Sequence, residues 1–125
     1  MKSILIFAMF LVLLSSCNSI EPEDFDDFYE RFHQDSLFQQ SRLKFPIQGS
    51  YKDFDTTMEW TSSNWGFIRN TVSEIDSTEY DIIFKKSKRK VIEQINCKDC
   101  GLTFEIRFEV IDQKWYLTMR QDNNF

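Results

Sequence analysis

LTFEIRFEVIDQKWYLTM, residues 102–119, alternates apolar and polar side chains almost without a break. Leu102, Phe104, Ile106, Phe108 and Val110 fall on one side of an extended chain, and Thr103, Glu105, Arg107 and Glu109 on the other. That period of two describes a strand with one buried and one exposed face. Trp115, Leu117 and Met119 continue the pattern beyond Asp112-Gln113. A two-residue turn at Asp112-Gln113 pairs Val110 with Trp115, Phe108 with Leu117 and Ile106 with Met119, apolar against apolar. It also sets Glu105 against Arg120 on the other face, an opposite-charge pair. A slip of one residue destroys both matches. Asp-Gln is not the favoured hairpin dipeptide, so a slightly longer loop is the alternative.

Working outward, Tyr80, Ile82 and Phe84 alternate in one strand and Val91, Glu93 and Ile95 in the next, with a basic turn between them. Leu43, Phe45 and Ile47 suggest a shorter strand, which Pro46 confines to an edge or a strand end. Residues 49–70 hold two apolar islands, Met58-Glu59-Trp60 and Trp65-Gly66-Phe67-Ile68, that fit either a short helix or loops. Ahead of the strands, Phe25, Phe28, Tyr29 and Phe32 fall at i, i+3, i+4 and i+7, one stripe of a helix. Pro22 suits its first turn, and Glu23, Asp24, Asp26 and Asp27 complement its dipole there. Ser36-Leu37-Phe38-Gln39 fits a capping box, so a second short helix restarts at Ser36 and ends before Pro46. Helices followed by a meander of antiparallel strands make an α+β fold, with the aromatic stripe covering the concave face of a curved antiparallel sheet.

The chain opens with MKSILIFAMFLVLLSSC. Lys2 supplies a positive start, and the apolar run from Ile4 to Leu14 is too short to span a bilayer. Leu14-Ser15-Ser16-Cys17 then matches a lipobox. The expected organisation is a signal peptide over 1–16, a tether over 17–22 lipidated at Cys17, and one domain over 23–125. Acyl chains on Cys17 would hold that domain at a membrane.

The 125 residues carry 15 Lys and Arg against 20 Asp and Glu, a net charge of -5, which speaks against a general nucleic-acid binder. Thirteen Phe, three Trp and four Tyr supply apolar area for a core, and three Gly with two Pro argue against a low-complexity body. Charge is uneven. Acids crowd residues 18–35, and five bases without an acid fill residues 85–90. The expectation for both is a solvated face, and the functional reading of the basic turn is contact with an anionic surface.

The segments Glu23-Asp24-Phe25-Asp26-Asp27-Phe28-Tyr29-Glu30-Arg31-Phe32, Asp35-Ser36-Leu37-Phe38-Gln39 and Arg42-Leu43-Lys44-Phe45-Pro46-Ile47 resemble a family of uncharacterised Gram-negative lipoproteins. The resemblance takes in the Trp60 and Trp65 region and the C-terminal strands. It implies a nuclear-transport-factor-2-like (cystatin-like) cone, a domain of unknown function, and no catalytic residues to carry over.

Cys97-Lys98-Asp99-Cys100 is the sharpest chemical candidate. With Cys17 lipidated, these two thiols remain, and a turn at Lys98-Asp99 sets them face to face. A structural disulfide is the expectation. A thiol–disulfide site needs its first Cys at a helix start, which the strand flanks oppose. His33 is the only histidine, so no metal set is complete, and no cofactor motif is present. Some enzymes of the resembled fold use a carboxylate inside the cone as a general base, for which Asp53, Asp55, Glu59, Asp76 and Asp81 are undistinguished candidates here. Glu93 is the interesting candidate, because it lies between Val91 and Ile95, and a rim position is the expectation for it. Trp60 and Trp65, with Tyr51 nearby, are candidates for a pocket mouth that stacks on a sugar ring or an apolar ligand. Core packing is the competing expectation.

The combined reading is a non-catalytic ligand- or partner-binding domain, tethered at a Gram-negative cell envelope, with the outer membrane as its expected site. The alternatives are an isomerase or hydrolase with a pocket carboxylate, and a thiol–disulfide protein built on Cys97 and Cys100.

Overall fold

The computed structural model describes residues 21–125. The expected signal peptide, the lipidation at Cys17 and most of the tether lie outside the described residues. Helix α1 runs Phe25–Gln34. Asp24 caps it, its carboxylate accepting from the Asp27 N–H at 2.9 Å, so Pro22 precedes the helix rather than opening it. Phe25, Phe28 and Phe32 are buried as the spacing requires. Glu23 is drawn off the helix altogether. Its carboxylate takes the Arg42 guanidinium and the Trp115 N–H, and its carbonyl takes the Trp115 indole N–H at 2.9 Å. Asp35 ends α1 and caps α2, Ser36–Ser41, accepting from the Phe38 N–H at 3.0 Å. The cap therefore sits one residue before the Ser36 that the capping-box pattern points to.

Seven strands form one sheet: β1 Leu43–Gln48, β2 Ser50–Asp53, β3 Thr57–Glu59, β4 Tyr80–Lys86, β5 Lys90–Cys97, β6 Leu102–Ile111 and β7 Lys114–Asn124. Their order is β3-β2-β7-β6-β5-β4, with β1 also against β7. β1 and β2 run parallel to β7, so the sheet is mixed and not wholly antiparallel. The reason lies at Gly49. β1 and β2 follow one another along the same side of β7, and the chain passes between them at Gly49 with φ +89°. A Cβ there would lie 2.1 Å from the Arg120 carbonyl oxygen, so only glycine fits. Residues 49–70 hold two short strands and a loop, not a helix. Leu43 and Ile47 are buried, whereas Phe45 between them is 37 % exposed, in the stretch where β1 loses register with β7.

The β6–β7 hairpin decides the rest. Asp112 and Gln113 have φ of 50° and 66°, the two positive values of a type I′ turn, so the loop is two residues long. Val110 pairs with Trp115 and Phe108 with Leu117, as the pattern demands. Beyond these, Thr118 is an extra residue on β7, and the register moves by one. Ile106 then faces Arg120 instead of Met119, and Glu105 faces Gln121 instead of Arg120. The bulge turns Arg120 and Asp122 to the inner side, where Ile106 and Phe104 already point.

Phe108, Leu117, Ile106 and Val91 are fully buried on that side, and Phe104 is half-buried against them. α1 lies over them. The Phe108 ring meets Phe32 at 5.2 Å, Phe28 at 5.5 Å and Phe25 at 5.7 Å, each edge to face.

Candidate functional site

Two polar features interrupt this apolar interior. The first is Glu93, only 2 % exposed. Its neighbours across the sheet are Phe84 and Ile106, and Tyr29 of α1 closes over it, so it is a core residue and not the rim residue its sequence context suggested. The Tyr29 hydroxyl donates to Glu93 Oε1 at 2.8 Å and accepts from the Val72 N–H at 2.9 Å. Loss of water pushes the Glu93 carboxyl up to about 7, against a modest downward pull from the Tyr29 hydrogen bond. Tyr29 is pushed well above the usual phenol range, first by burial and then by the Glu93 charge. His33 packs on Tyr29 at 4.3 Å, and its Nδ1 lies 2.7 Å from the Tyr29 carbonyl oxygen. A carbonyl only accepts, so Nδ1 carries the hydrogen. Nε2 is buried with no partner among the described residues, and burial lowers the His33 pKa.

These shifts have opposite signs in stability. The fold holds a proton on Glu93 up to about pH 7, whereas the unfolded chain releases it near 4.5. Stability from this group therefore falls as pH rises from 4.5 to about 7. For His33 the unfolded chain binds the extra proton below 6.5, so stability falls as pH drops below that value. Glu93→Gln keeps an acceptor for Tyr29 and abolishes the first effect. Calorimetry should find the variant stabilised at pH 8 by roughly 2–3 kcal/mol and little changed at pH 4. An equal shift at both pH values would contradict a buried, proton-holding Glu93.

The second feature is a cleft of about 600 Å³ at the end of the sheet where β6 starts and β7 finishes. Tyr51, Phe67, Tyr80 and Phe104 contribute aromatic wall, and Arg120 with Asp122 contributes a charged pair. Arg120 Nε and Nη2 bond the Asp122 carboxylate at 3.1 and 3.0 Å, and Nη1 bonds the Gly66 carbonyl at 3.2 Å. Its guanidinium carbon lies 4.3 Å from the Trp60 ring centroid and 4.6 Å from that of Trp65. Both indoles are buried, edge to face at 5.6 Å. Trp60 donates to the Arg120 carbonyl at 2.8 Å, and Trp65 donates to Gln39 Oε1 at 2.9 Å.

Of the residues singled out as possible pocket, Tyr51 lines the cleft. Trp60 and Trp65 do not line it, but they hold Arg120 in place. Glu93 is not part of the lining either. Ile95, the next inward residue on β5, stands at the cleft in its place. Arg120, Asp122, Phe104, Phe67 and Tyr80 join the cleft without having been marked by sequence. A carboxylate two residues after an arginine on one strand was the available signal, since i and i+2 share a face. Asn70, Asn123 and Asn124 supply neutral hydrogen-bonding groups, and Arg69, Glu74 and Asp76 bring further charge. Asp76 is held below the usual carboxylate range by the Thr78 hydroxyl and N–H.

Cys97 and Cys100 form a disulfide with Cα atoms 5.3 Å apart. The bridge joins the end of β5 to the turn before β6, and no helix starts there. Among the described residues no three His, Cys, Asp or Glu side chains gather as a metal site would need.

A curved, open, mixed sheet under two short helices is the architecture of nuclear-transport-factor-2-like and cystatin-like proteins. A cystatin-like protein from Bacteroides caccae matches with a TM-score of 0.63 and 21 % identity, over 81 % of this chain and 76 % of that one. A protein from Bacteroides uniformis, solved by NMR, matches with 0.57 and 23 %, over 80 % and 76 %. A nuclear-transport-factor-2-like protein from Bacteroides fragilis matches with 0.54 and 21 %, over 84 % of this chain. The chain spans about half of that relative, 49 % of its length. Residues 23–124 match the model of an uncharacterised family, and the chain belongs to that family. No curated protein matches it.

Proposed function

We propose that this chain is a lipid-anchored protein of a Gram-negative cell envelope, held at the outer membrane through Cys17, whose domain binds a small polar ligand without transforming it. The lipobox Leu14-Ser15-Ser16-Cys17 supports the anchor. The cleft supports the binding role. Aromatic faces and amide groups around a neutralised arginine suit a neutral ligand with one apolar face, of which a sugar ring is the type. Asp122 satisfies Arg120, and Glu74 and Asp76 outweigh Arg69, so a strongly anionic ligand fits poorly.

The test is an NMR titration with maltose and cellobiose, following the Trp60 and Trp65 indole N–H signals and the Arg120 Nε–H signal. A saturable shift of these three is expected, with at least tenfold weaker binding in Phe67→Ala. Signals that stay still for both sugars would remove the reading. Fatty-acid labelling that survives Cys17→Ser would remove the anchor. A second reading, a reaction with Glu93 as general base, is favoured by its raised pKa and the Tyr29 contact. It needs substrate to reach a carboxyl that the apolar layer of Ile95 and Phe104 separates from the cleft.

A further inference from the structure

β4 ends the sheet, and no strand pairs with its outer side among the described residues. We infer that this edge is the site where a second copy of the chain adds on, β4 against β4, antiparallel across a two-fold axis at Ile83.

The backbone sets the register. The Ser87 N–H donates to the Lys90 carbonyl at 2.8 Å, and the Lys98 N–H donates to the Glu79 carbonyl at 2.9 Å. Odd-numbered residues of β4 therefore bond inward to β5, and even-numbered ones turn their N–H and C=O outward. Ile82, Phe84 and Lys86 offer both groups. Tyr80 offers its carbonyl alone, since its N–H already donates to the Asp76 carbonyl at 3.1 Å. With the axis at Ile83, Ile82 of one copy meets Phe84 of the other in a hydrogen-bonded pair, and the symmetric pair repeats it. Lys86 then reaches the free Tyr80 carbonyl. Every outward group of the strand's centre finds a partner, as strand addition requires.

The side chains are self-complementary in that same register. Asp81, Ile83 and Lys85 share the outer face, and all three are exposed. Across the axis Ile83 meets Ile83, and Asp81 of each copy meets Lys85 of the other. Ile83 and Phe84, two of the few large apolar residues left exposed, are covered together. Edge lysines ordinarily repel an incoming strand. Here an aspartate four residues before Lys85 converts that repulsion into selection for the chain's own antiparallel copy. The opposite edge, β3, has three residues and offers no comparable template.

Cross-linking tests the pairing. Residues facing each other in a non-hydrogen-bonded antiparallel pair have Cα atoms about 4.5 Å apart, within disulfide range. Purified full-length Ile83→Cys, oxidised with copper–phenanthroline, should run mostly as a dimer on non-reducing gels. Ser87→Cys, off the register, should stay monomeric. Adding Asp81→Lys to Ile83→Cys should cut the dimer band at least tenfold, and adding Lys85→Asp as well should restore it. A monomeric Ile83→Cys, equal cross-linking of Ser87→Cys, or no rescue by the double charge reversal would each overturn the inference.

Discussion

Phe108→Ala should cost the fold about 3–5 kcal/mol and shift its urea midpoint accordingly. The ring is fully buried and is the common neighbour of Phe25, Phe28, Tyr29 and Phe32. Removing it leaves a void bounded by four rings of one helix and by the sheet beneath. Those rings pack on one another at tilted angles and are fixed by their helical spacing, so the site cannot collapse to fill the space. A domain of this size has about 5–15 kcal/mol in total, so the variant should sit near the limit of folding. Its melting temperature should fall by roughly 15–30 °C. A loss below about 1 kcal/mol would mean that α1 does not rest on β6 as described.

Gln39→Leu should be nearly as damaging, although the two side chains are similar in size. Gln39 is fully buried in α2. Its Nε2 donates to the Phe32 and Ile68 carbonyls at 2.8 and 2.9 Å, and its Oε1 accepts from the Trp65 indole and the Ile68 N–H at 2.9 Å each. One amide thus ties both helices to the loop that carries Phe67 to the cleft. Leucine leaves four polar groups unpaired where water is scarce, at about 1–3 kcal/mol for each that finds no substitute. A net loss of about 3–4 kcal/mol is expected by denaturation, with faster amide exchange over residues 65–70. Unchanged exchange there would show that Gln39 does not hold the loop.

Much of this architecture was legible in the sequence because period carries it. Phe25, Phe28 and Phe32 repeat as a helix must, and Phe104, Ile106 and Phe108 repeat as a strand must. Both sets are where those periods place them. The hairpin pairs Val110 with Trp115 and Phe108 with Leu117 came from matching apolar residues alone. The cleft was not legible, because it begins where the period fails. Trp115, Leu117 and Met119 look like one face, and nothing in the letters marks Thr118 as surplus. Its hydroxyl donates to the Glu109 carboxylate at 2.5 Å, a contact visible only after folding. Everything past it is displaced by one position, which is why Arg120 was read as an outer-face partner of Glu105. The burial of Glu93 and of Gln39 escaped for a related reason. A polar residue in an apolar row is ordinarily a boundary residue, and only a distant partner such as Tyr29 or Trp65 makes its burial tolerable. The direction of β1 and β2 was equally hidden, since alternation is the same for parallel and antiparallel neighbours.

β7 holds three strands at once: β6 along one side, and β1 followed by β2 along the other. Leu43 and its partner Leu117 are 74 positions apart. A ribosome therefore releases β1 and β2 long before the template they need has been made. Until Lys114–Asn124 emerges, the early half of the chain has helices but no place to dock them. Assembly of the domain waits for β7, and a copy that lacks it stays open to chaperones, to proteases and to any machinery that needs an extended polypeptide.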